Sequence, residues 1–128
     1  MRIAQDVAPD LPPVAGDAEL LQQALTNLVT NSIQAMPKGG TVTLGARIGP
    51  DGAVEIRVAD EGVGIAAQDL EKIFRLYYTT KSQGSGIGLS MVYRTVQMHD
   101  GRVDVESEVD RGTVMILTLP VAPGSVAM

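Results

Sequence analysis

Asp60-Glu61-Gly62-Val63-Gly64 is the stretch on which the reading of this chain turns. Asp60 ends a β-rich segment, residues 54–59. The two glycines after it permit backbone conformations and close approaches that side-chain-bearing residues resist. A second glycine stretch, Gly84-Ser85-Gly86-Ile87-Gly88, stands just before a helical segment, and Asn27 and Asn31 lie upstream of both. In this order the three pieces describe a pocket for a nucleotide, with an acid for the base, amides for the phosphates and an amide oxygen for a metal.

Working outward, residues 3–7 read as a short edge strand, followed by the turn Pro9-Asp10-Leu11-Pro12-Pro13. Asp17 is a good N-cap. Behind it Leu20, Leu21, Ala24, Leu25, Leu28, Val29, Ser32, Ile33 and Met36 recur at helical spacing until Pro37 and Gly39-Gly40. Residues 41–48 and 54–59 form a hairpin signal around Gly49-Pro50-Asp51-Gly52. Residues 66–74 read as a short helix and residues 75–88 as a mobile polar loop. A helix over residues 89–98 carries Leu89, Val92, Tyr93 and Val96 on one face. Strands over residues 102–106 and 113–119 close the chain around Asp110-Arg111-Gly112. The fold class is α+β, a two-layer sandwich with helices on one face of a mixed sheet. Residues 1–120 are read as one domain and residues 121–128 as a flexible tail.

The bulk properties narrow the function. At 128 residues the chain fits one domain, able to bury roughly two-thirds of its unfolded surface. Aromatics are only 3% of a composition that is 45% hydrophobic, so the core is built from aliphatic side chains and Met. A net charge of −5 argues against partners such as nucleic acid or an anionic membrane, and any bound polyanion must be held by local donors. The absence of cysteine excludes disulfides, thiolate nucleophiles and Cys-type zinc sites. No apolar run approaches the ~18 residues of a membrane span and no signal peptide opens the chain. A soluble, cytoplasmic domain is the expectation.

Asn27 and Asn31 are four apart, so both amides emerge on one face of the first helix. Left unpaired in a buried setting, such an amide costs roughly 1–3 kcal/mol, which ligand contact would explain. An Asn carbonyl is a suitable Mg²⁺ ligand when substrate phosphates supply the negative charge. Asp60 has two readings: a turn carboxylate bonding the next amides, or an acceptor for the exocyclic amine of adenine. Guanine carries a carbonyl oxygen at that position, which an anion rejects. Gly84, Gly86 and Gly88 alternate before a helix, as a phosphate-binding turn or as a hinge. Lys81 would add charge near the γ-phosphate or sit solvated on the surface. Gly62-Val63-Gly64-Ile65-Ala66-Ala67 imitates a dinucleotide-binding fingerprint, which needs an acid about 20 positions on. No acid lies between Glu71 and Asp100, so that reading fails, and no Walker-type phosphate loop is present.

The pattern resembles the catalytic ATP-binding domain of two-component sensor histidine kinases, within the superfamily of DNA gyrase, heat-shock chaperones and mismatch-repair ATPases. Residues 21–32, with Asn27 and Asn31, are similar to the family's N box, and residues 60–65 to its G1 box. Residues 73–81 resemble the F box, in a Thr79-Thr80-Lys81 form like that of nitrogen-regulator or oxygen-sensor kinases. Residues 84–89 resemble the G2 box, and Gly112-Thr113 a last small glycine motif. The resemblance covers residues 17–120 and implies a Bergerat-type ATP-binding fold with ATP and Mg²⁺ as cofactors. It implies Asn27 and Lys81 as catalytic residues and Asn31 as the metal ligand. Around the nucleotide it implies Asn27, Asn31, Asp60, Gly62, Gly64, Ile65, Tyr78, Lys81, Gly84, Ser85, Gly86, Ile87, Gly88, Leu89 and Thr113, with residues 74–88 as a lid.

Hydrolytic members of the superfamily usually carry Glu where this chain has Asn27, and an amide cannot act as a general base. The resemblance therefore implies transfer of the γ-phosphoryl group, by positioning and electrostatics, to a histidine on a separate dimerisation and phosphoacceptor domain. A response regulator lies downstream of that domain. The only histidine here, His99, precedes Asp100 but has no proline at the offset of an acceptor motif, and it reads as structural at a helix C-terminus. Tyr77-Tyr78 and Ser32 depart from the more usual Phe pair and Ala. The chain is expected to be a monomeric piece of a longer sensor, any membrane anchor belonging to the parent. Two other classes remain open: a free-standing anti-sigma-factor-type serine kinase, and a non-catalytic ATP-binding module.

Overall fold

Asp17 starts the first helix in the way its side chain allows. In the computed structural model, which describes residues 2–9, 11, 14, 16–70 and 87–121, Asp17 is extended and its Oδ1 accepts from the N–H groups of Glu19 (3.0 Å) and Leu20 (3.1 Å). Two of the helix's four orphan donors are thereby satisfied. The elements are β1 (Arg2–Val7), α1 (Ala18–Gln34), β2 (Thr41–Ile48), β3 (Val54–Asp60), α2 (Ala67–Leu70), α3 (Ile87–Met98), β4 (Arg102–Glu108) and β5 (Gly112–Leu119). The sheet order is β1-β2-β3-β5-β4, with β1 parallel to β2 and every other pair antiparallel. The sheet is mixed, as expected, and α1 and α3 pack on each other over one of its faces.

The helices cover a period-2 set of strand residues. Val42, Val58, Met115, Leu117 and Leu119 meet Ala24 and Leu28 of α1 and Val92 and Val96 of α3 in one aliphatic cluster, completed by Met36. Truncating a fully buried member such as Leu28 to Ala removes contacts on every side and costs about 2–5 kcal/mol. The buried line of α1 runs through residues 24, 28 and 32. Ile33, expected in the apolar stripe, is turned about 100° from Ser32 and is exposed. Tyr93 is a similar correction: expected on the buried face of α3, it lies one position beyond Val92 and is 40% exposed. Its hydroxyl accepts from Gln97 Nε2 at 2.8 Å.

Local signals placed most turns. The β2–β3 hairpin closes over residues 49–53, with Gly52 at φ +84° and Asp51 Oδ1 accepting from Ala53 N–H at 3.2 Å. α3 starts at Ile87, two residues before the expected boundary, and β4 runs two residues further, to Glu108. Of the expected helix at residues 66–74, residues 67–70 are helical and residues 71–74 lie outside the described residues. Val121, the first residue of the expected tail, forms an isolated antiparallel bridge with Val14. Among the described residues no helix is long and apolar enough to cross a membrane.

His99 joins the two helices. Its Nδ1 lies 2.7 Å from the Thr95 carbonyl and its Nε2 accepts from Asp17 N–H at 2.9 Å. A carbonyl only accepts and an amide only donates, so the ring is neutral with its proton on Nδ1. The structural role read from the sequence stands, but as a neutral hydrogen-bond bridge rather than a cation at a helix dipole. His99→Ala should lower unfolding free energy by about 1–2 kcal/mol, as read by urea denaturation at neutral pH. A change within the ~0.5 kcal/mol typical of featureless surface sites would show that the bridge contributes nothing.

Candidate nucleotide site

Three neighbouring strands bring Asp60, Thr113 and Ser107 into one row. Thr113 is the register partner of Asp60 on β3 and of Ser107 on β4, so the three side chains share the helix-covered face. Asp60 Oδ1 accepts from Gly62 N–H (2.9 Å) and from Thr113 N–H (3.2 Å). The reading as a turn carboxylate is the one seen here. Oδ1 serves as the turn acceptor, and Oδ2 takes no hydrogen bond from the described residues.

The turn after Asp60 is clamped from two sides. Val63 N–H donates to the carbonyl of Ala35 at the end of α1 (3.0 Å), and Asp110 N–H of the β4–β5 turn donates to the Val63 carbonyl (2.8 Å). A Cβ on Gly62 would lie 2.5 Å from the Ala35 carbonyl oxygen and 2.8 Å from Ala35 Cβ. Gly64, at φ +75°, would drive a Cβ into the Glu108 carbonyl. The resemblance implies that both glycines lie around the nucleotide. Among the described residues the close approach that demands them is to the protein's own backbone.

Beyond the turn, Ile65 N–H donates to Ser107 Oγ at 2.8 Å. Ser107 Oγ also lies 2.9 Å from the Gly112 carbonyl oxygen and 2.8 Å from Thr113 Oγ1. Sequence reasoning missed Ser107. A signal was available, because Val103, Val105 and Ser107 occupy successive core-facing positions of β4 and Ser107 breaks the apolar alternation.

Asn27 and Asn31 are half-buried on α1, which packs against β3. Four residues apart on this helix, they share one of its faces. Among the described residues no group of three or more carboxylate, His or Cys side chains could hold a cation by itself. A neutral amide oxygen such as that of Asn31 suits a divalent ion already carried by phosphates. Ile87 and Gly88 open α3, whose N-terminal amides and dipole favour an anion. Leu89 is half-buried and packs on the core. Tyr78, Lys81, Gly84, Ser85 and Gly86 lie outside the described residues.

Comparison with known proteins places the chain in a family. The family described as "Histidine kinase-, DNA gyrase B-, and HSP90-like ATPase" matches residues 16–123. Sensor histidine kinase ZraS of Escherichia coli K12 is 41% identical over 111 residues, covering 87% of this chain and 24% of the relative. Sporulation kinase E of Bacillus subtilis is 36% identical over 116 residues, covering 91% of the chain and 16% of the relative. The chain thus spans about a quarter or less of the length of these curated relatives. Among solved structures, full-length ShkA in complex with AMPPNP superposes with a TM-score of 0.84 at 30% identity, over 99% of this chain and 27% of that one. The catalytic domain of histidine kinase ThkA, in a nucleotide-free form, superposes with a TM-score of 0.83 at 29% identity, over 95% of this chain and 80% of that one. The chain belongs to the histidine kinase-, DNA gyrase B- and HSP90-like ATPase family, with the ATP-binding catalytic fold found in sensor histidine kinases.

Proposed function

We propose that this domain binds Mg-ATP and donates its γ-phosphoryl group to a histidine on a separate dimerisation and phosphoacceptor domain, from which a response regulator is charged. The observation that carries the reading is the division of labour in Asp60. Its Oδ1 is held by two backbone amides, and its Oδ2 is left to accept from the exocyclic amine of adenine. Such a preorganised acceptor discriminates well, because a wrong partner leaves a half-buried charge facing another acceptor.

In this reading Asn31 supplies an amide oxygen to the Mg²⁺ carried by the phosphates, and the ion neutralises phosphate charge when bound. Asn27 lies beside it on the same helix face and orients the phosphates without abstracting a proton. The start of α3 at Ile87 and Gly88 is assigned to the phosphate end by resemblance, as are Tyr78, Lys81, Gly84, Ser85 and Gly86. An acceptor imidazole nitrogen attacks the γ-phosphorus while the bond to the β–γ bridging oxygen breaks, and ADP departs with that electron pair. The isolated domain is assigned as a cytoplasmic monomer, dimerisation belonging to the acceptor domain.

Asp60→Asn preserves an acceptor for Gly62 and Thr113 but turns an N–H group toward the base. It should lower ATP affinity at least about a hundredfold with the fold intact by circular dichroism; wild-type affinity in calorimetric titration would remove Asp60 from base recognition. Asn31→Ala should weaken ATP binding about tenfold with Mg²⁺ present and much less in excess EDTA. Equal losses in both conditions would remove Asn31 from the metal site. Transfer itself is read by incubating the domain with labelled Mg-ATP and a cognate acceptor domain. Acid-labile label on histidine is the expected product, and tight binding without transfer would leave a binding module only.

A further inference from the structure

Ser107 is polar at a core-facing position of β4, and its hydroxyl meets three groups at once. A serine hydroxyl has one hydrogen and two lone pairs. The Gly112 carbonyl, 2.9 Å away, can only accept, so it takes the hydrogen. Ile65 N–H, 2.8 Å away, can only donate, so it occupies one lone pair. The remaining lone pair faces Thr113 Oγ1 at 2.8 Å and can be filled only by the Thr113 hydroxyl hydrogen. The polarity of Thr113, a buried residue with an otherwise free rotor, is thereby set: hydrogen toward Ser107, lone pairs away from it.

On its other side in the row stands Asp60. We infer that Ser107 is a positioning residue for base discrimination, which keeps Thr113 an acceptor beside the acceptor Oδ2 of Asp60. The wall then presents two acceptors and recognises a 6-aminopurine, whose amine carries two hydrogens, over a 6-oxopurine. Without Ser107 the Thr113 hydroxyl turns freely and can offer its hydrogen to a 6-oxo group. This rests on the proposed reading of Asp60 and extends it to a side chain that need not touch the nucleotide.

The test compares ATP with ITP, its 6-oxo counterpart, by calorimetric titration of the folded domain. Wild type should prefer ATP strongly. Ser107→Ala should lower the ATP-to-ITP affinity ratio about tenfold, in good part through tighter ITP binding, whereas a purely structural loss would weaken both nucleotides alike. Ser107→Thr, which keeps the hydroxyl, should restore the ratio. In a Thr113→Val background, Ser107→Ala should leave the ratio unchanged, because the rotor it controls is gone. Should Ser107→Ala fail to fold, Ser107→Cys reads the same ratio, since sulfur accepts the Thr113 hydrogen poorly. A discriminating wild type with an unchanged ratio in the folded Ser107 variant overturns the Ser107 role alone. Equal wild-type affinities, or full discrimination in Asp60→Asn, overturn the Asp60 reading and this inference with it.

Discussion

The carboxylate of Asp60 is the interaction on which the site depends. One oxygen receives the N–H groups of Gly62 and Thr113 and so joins the end of β3, the turn beyond it and the start of β5. Hydrogen bonds to a charged acceptor each contribute about 1.5–3 kcal/mol, enough to hold a turn that includes a positive-φ glycine and few side-chain contacts. The second oxygen inherits that rigidity. Its position is fixed by the bonds to its partner, so in the proposed role of base acceptor it would need no reorganisation.

The glycines around it express the same constraint in steric form. Gly62 lies against Ala35 at the end of α1, Gly64 against Glu108 at the end of β4, and Gly112, at φ +122°, against the Asp60 carbonyl. Three elements distant in sequence meet backbone to backbone at this turn, and no Cβ fits between them. The end of α1 is also tied to the turn through Val63 N–H and the Ala35 carbonyl. The helix bearing Asn27 and Asn31 is thus held to the segment bearing Asp60, and the metal-side and base-side candidates share a frame.

What the sequence made legible follows from the range of each signal. The Asp17 cap, the 41–48 and 54–60 strands and the turn between them rest on neighbours a few positions apart, and they appear in the structure close to where composition places them. Periodicity was less exact about faces: it admitted Ile33 and Tyr93 to buried stripes because one position in 3.6 is a coarse angular measure, and both are exposed. The long-range pairs were not legible. The bond from Asp17 to His99 spans 82 residues, that from Thr113 to Asp60 spans 53 and that from Ile65 to Ser107 spans 42. Each depends on strand register or helix packing, which no local pattern encodes. Ser107 was the nearest to visible, since a polar residue interrupting a core-facing alternation asks for a partner.

The hydrogen bonds of His99 bear on where a transferred phosphoryl group could go. It is the only histidine in the chain, and phosphorylation on nitrogen needs a ring nitrogen with a free lone pair. Nδ1 carries the proton donated to Thr95, and the lone pair of Nε2 is occupied by Asp17 N–H. Reaction at Nε2 would unseat the first turn of α1, and reaction at Nδ1 would require the opposite tautomer, placing an N–H on Nε2 against the Asp17 N–H. Either route would disturb the helix that carries Asn27 and Asn31, the residues assigned to hold the donor. Both nitrogens of His99 are thus engaged in holding the two helices together, and the ring is unsuited to take a phosphoryl group without loss of that bridge.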